Sequence, residues 1–280
     1  MKTLLVPTDF SETSKNAINY SFGFAKQVGI TKIVLYNTYT AQLNVSSDLI
    51  TPTGVTIDYA AEQDYAENQL FEFKETFKDQ VPEGVELLIL ANYGSLTSRI
   101  NEGVKEAEAD AILLGITGGG VLTEKFIGSN ATTIARDANV PVFIVPPSAS
   151  HDYIHRILLA SDFVDVELST PFGPIIDIVN DTNSQLYILH VAEKPKDQID
   201  INHPEAISFL NWLPGIQPEF HFIQSNDFPD AINTFAVEKN IGLVIIIPKK
   251  HDLVEKIFVE NHTKKLAFNT TIPIMAINNN

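Results

Sequence analysis

The strongest constraint on this chain of 280 residues is that it repeats one series of segments twice, in the same order. Residues 3–10 resemble residues 156–163. In each segment an apolar run is followed by three residues: a small polar residue, then Asp, then Phe. The other matched pairs are 33–37 with 186–190, 111–114 with 244–247, and 140–145 with 272–277. A period near 140 residues is too long for a solenoid unit, so the pattern predicts a duplicated domain.

The boundary between the two copies is predicted at a short stretch rich in proline and small polar residues. Pro146 and Pro147 are followed by Ser148, Ala149 and Ser150, where the regular pattern of apolar runs stops. We therefore expect one domain over residues 1–147 and a second over residues 151–280.

Each copy alternates short apolar runs with helical patterns. In the first copy the runs, all too short for helices, are 4–7, 33–36, 85–91, 111–114 and 141–145. Helices are predicted after Ser11, which is a good capping residue, and over 59–77, 98–107 and 129–138. Continuous apolar strands that alternate with helices indicate a parallel sheet covered on both faces. The expected fold class is α/β, with two tandem open parallel sheets that have helices on both faces.

Composition excludes several classes of protein. The chain has no cysteine, which rules out disulfides, thiolate metal sites and cysteine nucleophiles. Its net charge of −16 and its pI near 4.7 argue against binding to nucleic acid or to anionic membranes. Apolar runs are too short for a secretory signal or a membrane span. We expect a cytoplasmic protein, without a metal site or catalytic residues that the sequence identifies.

A glycine-rich connection follows the fourth predicted strand. Two residues separate Gly115 from Gly118, nine separate Gly118 from Gly128, and Ser129 then opens a helix. Glycine lets the backbone approach an anion closely, and the free N–H groups at a helix start bind phosphate oxygens. The alternative interpretation is a flexible turn between strand and helix. The spacing matches neither a P-loop nor a dinucleotide-binding fingerprint.

These residues resemble the universal stress protein family. The similarity rests on Val6-Pro7-Thr8-Asp9 with Ser11 and Ser14 behind it, on the Gly-x2-Gly-x9-Gly-Ser spacing, and on Val140-Pro141-Val142. Because it extends over both copies, the chain looks like a tandem member. The resemblance implies five-stranded sheets in the order 3-2-1-4-5, a fold like that of the adenine-nucleotide alpha hydrolases. It also implies binding of ATP, ADP or AMP, with magnesium as a further candidate ligand.

The resemblance assigns the expected nucleotide contacts to nine residues. Asp9 and the backbone near Thr38 would hold adenine, and Pro7 and Gly115 would flank the ribose. The candidate site as a whole consists of Pro7, Thr8, Asp9, Thr38, Gly115, Gly118, Gly128, Ser129 and Asn130, the last four at the phosphates. Asp9 has an alternative role as a turn or cap residue before the first helix. Asn37-Thr38 stands where family members often have His-Val, which predicts a more polar pocket wall.

The second copy lacks the glycines. We expect Pro248 in place of Gly115 and Glu260-Asn261 in place of Gly128-Ser129. Proline has no N–H to offer, and a glutamate would repel phosphate, so this copy should not bind ATP in the family manner. The basic segment 249–265 is either a different anion site, a partner surface or a solvated helix face.

The sequence is compatible with two functions. The first is a stress-response regulator that binds an adenine nucleotide in its first domain, with at most slow ATP hydrolysis. The alternative is a nucleotide-free scaffold with an empty inherited loop. In either case we expect the last strands, 142–145 and 274–277, to pair into an internal pseudo-dimer, with a homodimer as a further assembly.

Overall fold

The computed structural model of the protein describes residues 1–40, 59–116, 129–248 and 272–279. The first copy contains β1 Thr3–Pro7, α1 Glu12–Val28, β2 Lys32–Tyr39, α2 Tyr59–Glu75, β3 Glu86–Tyr93, α3 Leu96–Ala107, β4 Ala111–Gly115, α4 Ser129–Asp137 and β5 Val142–Val145. The second contains β6 Arg156–Ala160, α5 Val166–Ser169, α6 Phe172–Thr182, β7 Gln185–Ala192, a 3-10 turn Pro195–Asp197, α7 Pro204–Trp212, β8 Glu219–Gln224, α8 Phe228–Glu238, β9 Leu243–Ile246 and β10 Ile274–Ala276.

Helix α1 shows how local sequence sets these boundaries. Ser11 caps its start, where the Ser11 side chain accepts a hydrogen bond from the Ser14 backbone N–H at 3.2 Å. Gly29 ends the helix in the left-handed conformation, at φ 73°, and its N–H donates to the carbonyl of Ala25. The apolar stripe between these caps, which includes Ala17 and Phe24, is fully buried.

All ten strands of the described residues form one sheet in the order β3-β2-β1-β4-β5-β10-β9-β6-β7-β8. Within each copy neighbouring strands are parallel. Each copy therefore has the strand order 3-2-1-4-5 that the resemblance to the universal stress protein family implies, and the predicted α/β class is confirmed. The boundaries at 147 and 151 stay a prediction.

The two copies meet at the antiparallel pair β5–β10, which we call the seam. Ile144, Phe143 and Val142 lie opposite Ile274, Met275 and Ala276, and each of these six side chains is at most 1% exposed. This confirms the predicted pairing of the last strands. Because the seam is antiparallel, the carboxyl ends of the strands lie at opposite edges of the sheet in the two copies.

Helices cover both faces of the sheet. One apolar core lies beneath α1, α2, α6 and α7, and a second lies beneath α3, α4 and α8. Helices α1 and α6, from different copies, also contact each other across the seam. None of the helices in the described residues is long and apolar enough to cross a membrane.

The strand pairing corrects one predicted alignment between the copies. Leu4 pairs with Ala111, whereas its counterpart Ile157 pairs with Leu243. Ala111 of β4 therefore corresponds to Leu243 of β9, one residue before the Val244 that the sequence comparison suggested. As a result Ile247, not Pro248, occupies the place of Gly115. The apolar runs of β4 and β9 contain no internal marker that fixes their register from sequence.

Candidate functional site

The candidate site lies where β1, β2 and β4 end side by side in the first copy. Strand β1 pairs with β2 on one side and β4 on the other, so it is the switch point of this half-sheet. Open parallel sheets bind ligands at this position, beyond the carboxyl ends of the strands. Pro7 and Thr8, at the end of β1, are buried, and Asp9 is exposed.

The turn after β1 is held by side-chain hydrogen bonds. The hydroxyl of Thr8 donates to the Ser14 hydroxyl at 2.9 Å and accepts from the N–H of Phe10 at 3.0 Å. Both the N–H and the hydroxyl of Ser11 donate to Oδ1 of Asp9. Phe10 itself adopts a left-handed conformation, with φ 65°. The predicted turn role of Asp9 is therefore present in the structure.

Asp9 presents an ionised carboxylate just beyond the end of β1. Partial burial opposes ionisation, but the hydrogen bonds from Ser11 outweigh it and place the pKa of Asp9 below its ordinary value. An ionised carboxylate only accepts hydrogen bonds. A ligand at this position must therefore offer a donor to Asp9.

The backbone groups of Thr38 point from β2 toward the side on which β1 lies. The N–H of Thr8 donates to the carbonyl of Tyr36 at 2.8 Å, so the backbone groups of Tyr36 face β1. Groups two residues further along a strand face the same edge. The backbone N–H and carbonyl of Thr38 therefore face the space beyond the end of β1, where the chain turns away at Asp9.

The amide of Asn37 is hydrogen-bonded to the backbone at the end of β1. Its Nδ2 donates to the carbonyl of Thr8 at 2.7 Å. The side chain thus ties the end of β2 to the end of β1. The sequence shows that an asparagine stands near the end of β2. The direction in which its amide points depends on where β1 ends, which the sequence does not fix.

Gly115 has a packing role that the sequence did not indicate. A Cβ at this position would lie 2.6 Å from the backbone oxygen of Thr13 and 3.0 Å from its methyl group. The absence of a side chain therefore lets the first turn of α1 approach the end of β4. In the second copy, the corresponding Ile247 is buried and belongs to the same apolar core as Val166, the counterpart of Thr13.

The glycine-rich connection is bracketed by described residues. Strand β4 ends at Gly115, and helix α4 begins at Ser129 with exposed Ser129 and Asn130. Gly118 and Gly128 lie outside the described residues, as does the basic segment 249–265. The described ends agree with a strand–loop–helix connection at the predicted place.

An aromatic pair next to Thr38 was not predicted from the sequence. Tyr39 and Tyr93 are opposite each other in β2 and β3, and their rings make an edge contact with centroids 5.8 Å apart. Tyr39 is the residue after Thr38, but only the pairing of β2 with β3 brings Tyr93 beside it. Among the described residues, no group of three or more His, Asp or Glu side chains is arranged to hold a metal ion.

The fold is that of a tandem α/β protein whose candidate site lies at the switch point of its first half-sheet. The chain belongs to the universal stress protein family, since the model of that family matches residues 1–146. A comparison with curated protein sequences found no match.

Solved structures with the same architecture include a universal stress protein from Archaeoglobus fulgidus DSM 4304. It is 19% identical, with a TM-score of 0.70 over 99% of this chain and 98% of that one. A functionally unknown protein from Pseudomonas aeruginosa PAO1 is 12% identical, with a TM-score of 0.57 over 99% of this chain and 92% of that one. At these identities the likeness establishes the shared fold.

Proposed function

We propose that the first domain, residues 1–147, binds ATP or a related adenine nucleotide, and that the protein is a cytoplasmic regulator of the stress response. The observation that carries the proposal is the ionised Asp9 beside the end of β1, at the switch point of the half-sheet. Family membership agrees with this assignment.

Adenine fits the donors and acceptors at the end of β1 and β2. The exocyclic amine of adenine is a donor that suits Asp9, which only accepts. The backbone of Thr38 offers both an N–H and a carbonyl toward the same space. In this proposal Pro7 and Gly115 flank the ribose, and Thr8 holds the turn after β1 through its hydrogen bonds with Ser14 and Phe10.

The phosphates would extend toward the start of α4. Gly118, Gly128, Ser129 and Asn130 are the residues we assign to them. The N-terminus of a helix carries about half a positive charge and free N–H groups, which favour phosphate. A chain with net charge −16 disfavours a polyanion at long range, so we expect magnesium to accompany ATP. Among the described residues we identify no general base beside the start of α4, so we expect any hydrolysis to be slow.

A nucleotide-free scaffold is the second candidate function, and two contacts favour it. Oδ1 of Asp9 already accepts from Ser11, and Gly115 is explained by its approach to Thr13. Both residues would keep these roles in a protein that binds no nucleotide.

Calorimetry with ATP and magnesium on the full chain tests the proposal. We expect one site per chain, with affinity about tenfold lower in Asp9→Ala, which loses a charge-assisted contact. Asp162→Ala is the matched control, because Asp162 follows β6 as Asp9 follows β1 and accepts from the N–H of Val164. It should bind ATP as the unmodified chain does.

The glycine residues are tested by the Gly118→Val/Gly128→Val double variant, which should lose saturable binding. An absence of binding to the unmodified chain at millimolar ATP would favour the scaffold. Two sites per chain would contradict the assignment of the second domain as degenerate.

A further inference from the structure

Helix α7 of the second copy is apolar toward the core and also toward the outside. Its inner residues Ala206 and Phe209 are fully buried. On its outer side Ile207 and Leu210 are each 48% exposed, and Trp212 is 45% exposed. Ile207 and Leu210 are three residues apart and are therefore neighbours on the helix surface. We call these three exposed residues the α7 face, and a helix that is apolar all round is typical of one that is covered all round.

The equivalent helix of the first copy has a different outer side. Helix α2 follows β2 as α7 follows β7, and both pack into the same apolar core. Six of the 17 residues of α2 are charged, whereas Glu205 is the single charged residue among the nine of α7. No charged residue stands between Glu205 and Glu219, and the carboxylate of Glu205 accepts from the N–H of Val166 at 2.8 Å. The α7 face therefore carries no charge, unlike its counterpart.

Negative charge flanks the α7 face. Residues 157–238 contain 13 acidic and two basic residues, a net charge of −11 out of the −16 of the whole chain. Asp165 and Glu167 are exposed on α5, the short helix that packs against α7. Asp200 is exposed just before α7, where its carbonyl accepts from the N–H of His203 at 3.0 Å. A ligand that covers the apolar residues therefore meets carboxylates beside them.

Charge and size favour a short basic segment over a second copy of this chain. Two copies that pair symmetrically through α7 would bring their acidic flanks together, and like charges in an interface are unfavourable. A helix of nine residues is about 14 Å long and about 10 Å wide. That area is well below the roughly 800 Å² per partner of a stable protein dimer. It does match two or three turns of one partner helix.

We propose that the α7 face is a docking site for a basic amphipathic helix of a partner protein. Apolar side chains of the partner cover Ile207 and Leu210, and its lysine or arginine side chains lie toward the carboxylates of α5 and Asp200. Burial of apolar surface supplies the affinity, and the opposite charges set the choice of partner. This site is independent of the proposed nucleotide site, since it lies on a helix of the second copy.

A model peptide added to the full chain tests the docking site. The probe is a helix of about 14 residues made of leucine on one face and lysine on the other. We expect saturable binding at one site per chain by fluorescence anisotropy of the labelled peptide, and a blue shift of Trp212 emission with the unlabelled one. The same peptide with glutamate in place of lysine should not bind. Raising sodium chloride from about 50 to about 500 mM should weaken binding, because salt screens the charges.

Two variants locate the binding on the molecule. Ile207→Ser/Leu210→Ser should weaken binding of the lysine peptide by about tenfold or more, because two apolar contacts are lost without a change of charge. Val237→Ser is the matched control: Val237 is 72% exposed on α8, which covers the other face of the sheet. It should bind the peptide as the unmodified chain does. All the substituted side chains are exposed, so both variants should keep the urea midpoint of the unmodified chain.

Several results would overturn the proposal. Equal binding by the double variant would place the peptide elsewhere, and equal binding of the glutamate peptide would remove the role of charge. A dimer of the free chain in ultracentrifugation that the double variant abolishes would identify a second copy as the occupant. Binding to phosphatidylcholine vesicles that the double variant loses would identify a lipid surface. Failure of acrylamide to quench Trp212 in the free chain would show that the α7 face is already covered.

Discussion

Substitution of Gly115 by alanine tests whether the close approach of α1 to β4 shapes the candidate site. The new methyl group would lie 2.6 Å from the backbone oxygen of Thr13, far inside normal contact distance. Thr13 lies in the first turn of α1, whose cap at Ser11 also supports Asp9. The backbone must therefore shift at the place where the candidate site is built.

The expected loss of stability is about 1 to 3 kcal/mol, the usual range for an added methyl group in a well-packed region. If the free energy of unfolding falls by about 3 kcal/mol per molar urea, this loss lowers the urea midpoint by about 0.3 to 1 M. Gly173→Ala in α6 is the matched control. Apart from the backbone of α6 itself and the neighbours of Gly173, no atom in the described part of the chain lies within 4 Å of a Cβ at that position, so alanine should leave stability unchanged or raise it by up to about 1 kcal/mol.

The assay uses urea denaturation followed by two signals. Far-UV circular dichroism reports on both copies, whereas Trp212, the single tryptophan, reports on the second copy. Trp212 is 45% exposed and stacks on Phe172, with ring centroids 5.8 Å apart. Because the buried seam joins the copies into one sheet, we expect both signals to shift together in Gly115→Ala.

Two results would refute this reasoning. An unchanged or higher midpoint in Gly115→Ala would show that the contact with Thr13 does not limit the site. A shift seen by circular dichroism but not by Trp212 fluorescence would show that the copies unfold separately and that the seam does not couple them.

Three further predictions concern the linker, the seam and the first cap. Burial lowers the pKa of His151 below its ordinary value. The free energy of unfolding should therefore be highest above a pH of about 6.5 and fall at lower pH, because the unfolded chain takes up the proton first. His151→Phe should remove this part of the pH dependence of the urea midpoint. Phe143→Ala should cost about 3 to 5 kcal/mol by denaturation, because it leaves a cavity at the seam, and a loss below 1 kcal/mol would contradict the packing described. Ser11→Ala should cost about 1 kcal/mol through the lost cap, again measured by urea midpoint, and no change would show that Ser14 needs no partner there.

The sequence predicts the alternation of strands and helices and the pairing at the seam, whereas the strand order 3-2-1-4-5 follows from the resemblance to the universal stress protein family. Continuous apolar runs mark buried strands, and the duplication indicates that β5 and β10 are equivalent. The alignment of β4 with β9 is one residue wrong, since uniform apolar runs can slide past one another without changing their pattern. Only the pairing with β1 and β6 identifies Ile247 as the counterpart of Gly115.

The candidate site was predictable in its residue types but not in its contacts. The turn after β1 was visible as a cluster of Thr8, Asp9 and Ser11. The bond from Asn37 to Thr8 and the contact between Gly115 and Thr13 depend on three-dimensional neighbours that are far apart in sequence. Sequence patterns report which face a residue lies on, but the direction of a side-chain amide follows from the final packing.

The seam has a consequence for behaviour on dilution. Two separate chains that pair through edge strands come apart when their concentration falls below the dissociation constant. Here the partner strand belongs to the same polypeptide, so its local concentration is set by the covalent connection and not by how much protein is present. The ten-stranded sheet should therefore keep its form at very low protein concentrations, at which a two-chain version of the same sheet would separate.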